Sequence, residues 1–329
     1  MKQYHVYGLG AALVDTEIEV TDNFLQTANI EKGLMTLVDE ARQSEILELM
    51  KDHLVGSKRA SGGSACNSII AASYFGAKTF YSCKVANDEN GQFFHHDTKA
   101  AGVSIQASDL PAGTTGKCLV MITPDAERTM NTFLGISETL DESQLDHTAI
   151  AQSEYLYLEG YLVTSPTGKS AAIKAREIAE QNNVKTSISL SDPGMVQFFG
   201  DGLKEMIGTQ VDLLFCNKDE ALSWTGTENI ELAAEAMKAS AKTFAITLGK
   251  EGALVFDGKS LTTIPGESVT AIDTNGAGDM FAGAFLYGIT AGKSFPEAAK
   301  LANKAAAQVV SQYGPRLKPE QHGSLKVLN

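Results

Sequence analysis

An α/β fold, with a central mostly parallel sheet flanked by helices and a small separate β-sheet, is what this sequence predicts. Three observations carry that prediction. From residue 155 onward, short apolar runs alternate with amphipathic helical stretches, the rhythm of strand–helix–strand units. Two β-prone segments, about 16–38 and 112–135, do not follow that rhythm and can pair as a small sheet covering a cleft. A turn rich in small residues, Asn275-Gly276-Ala277-Gly278-Asp279, opens an apolar helix near the end of the chain. With 329 residues and 43 % hydrophobic content, the chain can bury one large core, and we expect a single domain over 1–329.

In order, residues 4–8 read as the first strand, and 15–38 as strands and turns interrupted by Thr21-Asp22-Asn23. Asp39 suits an N-cap for a helix carrying Ile46, Leu47, Met50 and Leu54 on one face. Ser61-Gly62-Gly63-Ser64 opens a helix over 65–75 that Gly76 stops, and a strand follows at 79–85. Residues 114–122 and 127–133 read as strands around Thr123-Pro124-Asp125. Further strands are expected at 155–158, 186–190, 211–215, 243–247 and 253–256, with helices at 166–181 and near 228–240. A strand-like 268–272 leads into the small-residue turn. Beyond it, Ala277, Met280, Phe281, Ala284, Phe285 and Gly288 share one helical face. The last long helix starts at Ser294, boxed by Glu297, and runs to about 312 with Ala302, Ala305, Ala306 and Val309 on its packing face.

The formal charge is −13, with no lysine/arginine-rich run, so nucleic acid and anionic membranes are not expected as partners. Cys66, Cys83, Cys118 and Cys216 form no C-x-x-C pair, which suggests reduced thiols. The first residues lack a signal-peptide core, and no run of about eighteen apolar residues offers a spanning helix. A soluble cytoplasmic protein is the expectation.

Several motifs are misleading. Gly8-Leu9-Gly10 begins like a dinucleotide fingerprint, but the third glycine falls at Leu13. Gly168-Lys169-Ser170 lacks the upstream glycine of a phosphate loop, since Val163 stands there; Ser165-Pro166 reads instead as a helix start. Gly113-Thr114-Thr115-Gly116-Lys117 fails likewise. His95-His96 on a helix diverge by about 100° and suit a metal poorly.

The 275–279 turn is the strongest candidate site. Gly276 and Gly278 let successive N–H groups turn toward one point at a helix N-terminus, a place that favours an anion, with Asp279 beside it as a base. A carboxylate there also suits a plain capped helix. Asn217 and Glu220, just past a strand, fit two readings: hydrated Mg²⁺ held by oxygen ligands, or a helix capping box. Ser61-Gly62-Gly63-Ser64-Ala65-Cys66-Asn67 offers a second glycine pair, with polar groups suited to substrate hydroxyls.

Taken together and in this order, Gly62-Gly63…Asn67, Asn217…Glu220, Gly249-Lys250-Glu251-Gly252 and Asp273-Thr274-Asn275-Gly276-Ala277-Gly278-Asp279 resemble the ribokinase-like (PfkB-type) carbohydrate and nucleoside kinases. The resemblance covers almost the whole chain. Within the family it is strongest to the adenosine kinase branch, through the 273–279 element, Leu190-Ser191-Asp192-Pro193 with Gln197-Phe198, and Val211-Asp212-Leu213-Leu214-Phe215-Cys216-Asn217. Ala11-Ala12 stands where that branch commonly carries Asn-Pro, which removes a nucleoside contact; Tyr161 falls where it places aromatics against the purine.

The resemblance implies an ATP-dependent kinase acting on a primary hydroxyl, adenosine first, with a ribose- or fructose-type sugar kinase as the alternative and a non-catalytic binding relative as a third reading. It implies Asp279 as base, with Gly276, Ala277 and Gly278 donating to the γ-phosphate. Arg128 would reach it from a small-sheet lid made of 16–38 and 112–135. Asp15, Gly62, Gly63, Asn67 and Tyr161 would hold the acceptor. Asn217, Thr247, Gly249, Gly252 and Asn303 would hold ATP, with Asn217 and Glu220 organising Mg²⁺ through water. A monovalent cation such as K⁺ is compatible with the family, as is a monomer or a homodimer.

Overall fold

The alternation of strands and helices builds one large sheet. The computed structural model describes residues 2–51, 58–106, 110–125 and 127–327. Its strands are β1 (Tyr4–Leu9), β2 (Leu13–Glu19), β3 (Met35–Leu37), β4 (Lys58–Gly62), β5 (Thr79–Ser82), β6 (Ser104–Ile105) and β7 (Thr115–Ile122). They continue with β8 (Arg128–Gly135), β9 (Ser153–Glu159), β10 (Lys185–Ser189), β11 (Val211–Asn217), β12 (Ala241–Thr247), β13 (Gly252–Phe256) and β14 (Leu261–Pro265).

The large sheet runs β14-β13-β12-β11-β10-β9-β1-β5-β6. Pairing is parallel from β6 to β12 and antiparallel at β12/β13 and β13/β14. Strands covered on both faces must be apolar throughout. In β11, Val211, Leu213, Leu214, Phe215 and Cys216 are accordingly all buried. Helices Pro166–Gln181 and Pro193–Ile207 pack on one face. Helices Ser64–Phe75, Ala277–Thr290 and Phe295–Val310 pack on the other.

The helix Ala277–Thr290 buries far more than the one expected face, because it lies between two neighbouring helices. Ala282, Gly283 and Leu286 are buried as well. A side chain at Gly283 would put its Cβ 2.3 Å from the Ser68 carbonyl oxygen, so only glycine permits this approach.

The second sheet, β3-β8-β7-β2-β4, draws on both β-prone segments. It also takes in β4, where no strand is expected from the sequence. Thr21-Asp22-Asn23 is a helix start rather than a turn: the Thr21 side chain accepts from Phe24 N at 3.2 Å and caps Asp22–Thr27. Asp39 caps Glu40–Leu49, with Ile46 and Met50 buried, whereas Leu54 lies outside the described residues. The expected strand at 268–272 is not one. Val269 and Ile272 are exposed, and Ile272 N donates to the Val310 carbonyl at 2.7 Å. β-branched alternation gives propensity, but a strand also needs a partner, and β14 already ends the sheet. Among the described residues, no helix is long and apolar enough to cross a membrane.

Candidate active site

Ligands of open α/β sheets gather beyond the carboxyl ends of the strands. Here Glu159, Ser189, Cys216, Asn217 and Thr247, at the ends of β9, β10, β11 and β12, face the small sheet across a cavity of about 390 Å³.

The 275–279 turn forms one end of it. Asp273 is fully buried; its Oδ1 accepts from Asn275 N at 2.8 Å and its Oδ2 from Gly314 N at 2.9 Å. Gly276 has φ +74°, and a Cβ there would sit 2.4 Å from the Pro315 carbonyl oxygen. The helix that follows has no side-chain cap. Its first-turn N–H groups therefore lack intrahelical partners and carry the positive end of the helix dipole. Ala277 N is only weakly engaged, by Thr274 O at 3.3 Å. A Cβ on Gly278 would meet nothing within 4 Å.

Asp279 lies beside this turn. Ser64 Oγ donates to its Oδ1 at 2.6 Å and Asn67 Nδ2 to its Oδ2 at 3.1 Å. Burial raises the carboxyl above the ordinary aspartate range, while these two bonds and the Arg128 charge oppose the shift. The group is therefore oriented yet more basic than a surface carboxylate, the combination a proton acceptor requires.

Across the cavity, burial and then the nearby Glu17 push Asp15 up to about 8. Asn67 Oδ1 is buried without a hydrogen-bond partner. The Asn67 oxygen suits an incoming hydroxyl donor, and the Asp15 carboxyl can accept from or donate to a hydroxyl. Gly63 and Arg128 line the same cavity, as does Tyr161, whose hydroxyl donates to Ser191 O at 3.4 Å.

Asn217 and Glu220 do form the capping box: Asn217 Oδ1 accepts from Glu220 N at 2.8 Å, and Glu220 Oε2 accepts from Asn217 N at 3.1 Å. Burial pushes Glu220 up to about 7. No cluster of three or more metal-ligating side chains occurs among the described residues. A buried carboxylate at the cavity wall, with its partner amide already engaged, fits an ion held through water rather than in a protein cage.

Thr247 and Gly249 line the cavity, but Gly62, Gly252 and Asn303 do not. Gly62 backs Asp15, since a Cβ there would lie 2.1 Å from its carboxylate. Gly252, at φ +101°, turns the chain beside the Ile264 carbonyl. Asn303 Nδ2 donates to Ile264 O and Pro265 O at 3.2 and 3.0 Å, holding β14 in place.

Glu159 is not foreseen by the sequence, and Ser64 and Asn275, though inside the two glycine-rich stretches, carry no role of their own there. Asn275 Nδ2 is buried and unpartnered at the cavity wall. Glu159 Oε1 and Oε2 accept from Ala11 N and Ala65 N at 2.7 and 2.8 Å, and burial pushes this carboxyl up to about 7. An acid directly after an apolar strand was the available signal. Glu159 also explains Gly10: a Cβ there would lie 2.5 Å from its Oε2, so that glycine serves packing.

An anion cradle with a base at its edge, opposite acceptors for hydroxyls, is the working arrangement of a phosphotransferase for small alcohols. The chain belongs to the pfkB family of carbohydrate kinases, whose model matches residues 38–322. It is similar to the crystal structure of adenosine kinase from Sinorhizobium meliloti, with 34 % identity and a TM-score of 0.93 over 99 % of this chain and 100 % of that one. A probable sugar kinase from Rhizobium etli is equally similar, with 34 % identity and a TM-score of 0.92 over 99 % of both chains. Adenosine kinase of Schizophyllum commune is 26 % identical across 97 % of this chain and 98 % of its own. The fold is therefore ribokinase-like, and the activity class is that of a nucleoside or sugar kinase.

Proposed function

We propose that this protein transfers the γ-phosphoryl group of ATP to the primary hydroxyl of a nucleoside, adenosine, giving AMP. The observation that carries the reading is Asp279, fixed by Ser64 and Asn67 beside the Gly276–Gly278 amides, in one cavity with Asp15. Asp279 removes the hydroxyl proton as the phosphoryl group approaches, and the N–H groups of Gly276, Ala277 and Gly278 stabilise the charge on the transferred group. Asp15, Gly63 and Asn67 hold the sugar hydroxyls. Arg128 moves with the small sheet, which acts as a lid, and reaches the phosphoryl group on closure. Asn217 and Glu220 orient the water shell of Mg²⁺, which supplies charge neutralisation on the phosphates. Thr247 and Gly249 border the ATP side.

A nucleoside is favoured over a bare sugar by the apolar wall beyond Asp15, made of Leu13, Met35, Leu37, Cys118, Met130 and Leu134, with Tyr161 nearby. That wall has the character to cover a purine. A sugar acceptor, ribose or fructose, is the second reading, favoured by Ala11 where adenosine kinases commonly place asparagine and by the likeness to a probable sugar kinase. We assign the protein to the cytoplasm, in keeping with its four free cysteines. A coupled ADP-release assay with adenosine, inosine, ribose and fructose, with and without KCl, tests all of this. Adenosine is expected to give the highest kcat/KM. Turnover of ribose or fructose alone would replace the nucleoside reading, and saturable binding without turnover of any acceptor would make the protein a binder.

A further inference from the structure

The segment after helix Phe295–Val310 does more than join it to the terminal helix. Gly314 N donates to Asp273, and the Pro315 carbonyl lies against Gly276, so residues 314 and 315 seat the anion turn from behind. One residue on, Arg316 reaches the opposite way. Its Nη2 donates to Asp97 Oδ2 at 2.9 Å and its Nη1 to Ser61 Oγ at 3.3 Å. Asp97, on helix Glu89–Ala100, also accepts from the Ser61 amide at 3.1 Å and from the Ser61 hydroxyl. Ser61 is fully buried in β4, opposite Val14 of β2. The next residue, Gly62, backs the Asp15 carboxylate. The same strap reaches the end of β2 where Tyr313 bonds Glu19.

We propose that Arg316 is a positioning residue for phosphoryl transfer: it clamps β4 to the 312–317 strap and so sets the spacing between the Asp15 side of the cavity and the Gly276 turn. The inference rests on the kinase reading above. A partly buried ion pair of this kind gains little net stability over apolar packing of the same volume. What a guanidinium supplies is a rigid, two-pronged geometry, here bridging a helix and a strand from a third element. The contacts made by the strap place the two ends of the reaction, acceptor hydroxyl and terminal phosphate, on one mechanical linkage.

Arg316→Met and Asp97→Asn each break the clamp; the second is the milder change, because the Asp97 side chain is 31 % exposed. With whichever acceptor the ADP-release panel identifies, each variant is expected to lower kcat by about 10–100-fold, the cost of a misplacement near 1 Å. Dissociation constants for the acceptor alone and for a non-hydrolysable ATP analogue alone are expected to stay within about 3-fold of wild type. The double variant should be no worse than the poorer single, and Arg316→Lys should recover part of kcat. Wild-type kcat in folded Asp97→Asn, losses that multiply in the double variant, or binding that weakens in step with kcat would each overturn the clamp. If wild-type enzyme phosphorylates no acceptor, the kinase reading and the clamp fall together; if it does and the variants match it, only the clamp falls.

Discussion

Two glycines in one turn allow stability and chemistry to be separated. At Gly276, alanine meets both a positive φ of +74° and a Cβ position 2.4 Å from the Pro315 carbonyl oxygen. A left-handed alanine costs about 1–2 kcal/mol and the forced overpacking about 1–3 kcal/mol, together about 2–5 kcal/mol. At about 2 °C per kcal/mol for a chain of this size, Gly276→Ala should lower Tm by about 4–10 °C. Gly278 differs in both respects. It lies in the first turn of the helix, and an added Cβ meets nothing within 4 Å. Gly278→Ala should therefore leave Tm unchanged or raise it by about 1–2 °C through better helix propensity. Its methyl group would nevertheless stand where a phosphoryl oxygen must approach the amides, so kcat/KM should fall by at least about 10²-fold. Differential scanning fluorimetry and steady-state kinetics on the two purified variants suffice. If Gly278→Ala keeps wild-type kcat/KM, the anion does not bind at these amides and the site assignment is wrong.

Asp279→Asn should retain the fold and the affinity for an ATP analogue while kcat falls by about 10²–10⁴-fold; turnover near wild type would remove Asp279 as the base. Arg128→Ala should lower kcat more than it weakens ATP binding, and kinetics showing only a higher KM for ATP would contradict contact with the transferred group. Glu220 is raised from 4.5 to about 7 by burial, so between about pH 5 and 7 the folded state binds more protons than the unfolded one and stability declines as pH rises. In EDTA, Glu220→Gln should therefore be increasingly more stable than wild type from pH 5 to 8, by up to about 3 kcal/mol; a gap that does not widen with pH would contradict the burial of this acid.

How much was legible depended on the range of the interaction. Helix Pro166–Gln181 was readable to the residue, because its Ser165 cap, first-turn proline and apolar period are all local. The 275–279 turn was readable because its two glycines and its acid adjoin. β4 was not: Lys58-Arg59-Ala60-Ser61-Gly62 has no apolar alternation and becomes a strand only by pairing with β2. The resemblance placed Asn303 among the ATP-holding residues, but its amide is spent on the carbonyls of Ile264 and Pro265 in β14. Ser64 is joined to Asp279 across 215 residues, a pairing no local pattern announces.

The least legible feature is collective. Asp15, Glu159, Glu220 and Asp279 are all raised by burial around one cavity, which Arg128 lines as its one lysine or arginine among the described residues. Carboxylates raised in this way oppose folding at neutral pH, since each must either take up a proton or hold its charge in a partly dry setting. Glu159 offsets part of that cost by accepting from Ala11 N and Ala65 N. On the proposed kinase reading, ligands would relieve the other three: a substrate hydroxyl at Asp15, a hydrated cation at Glu220 and the acceptor's proton at Asp279.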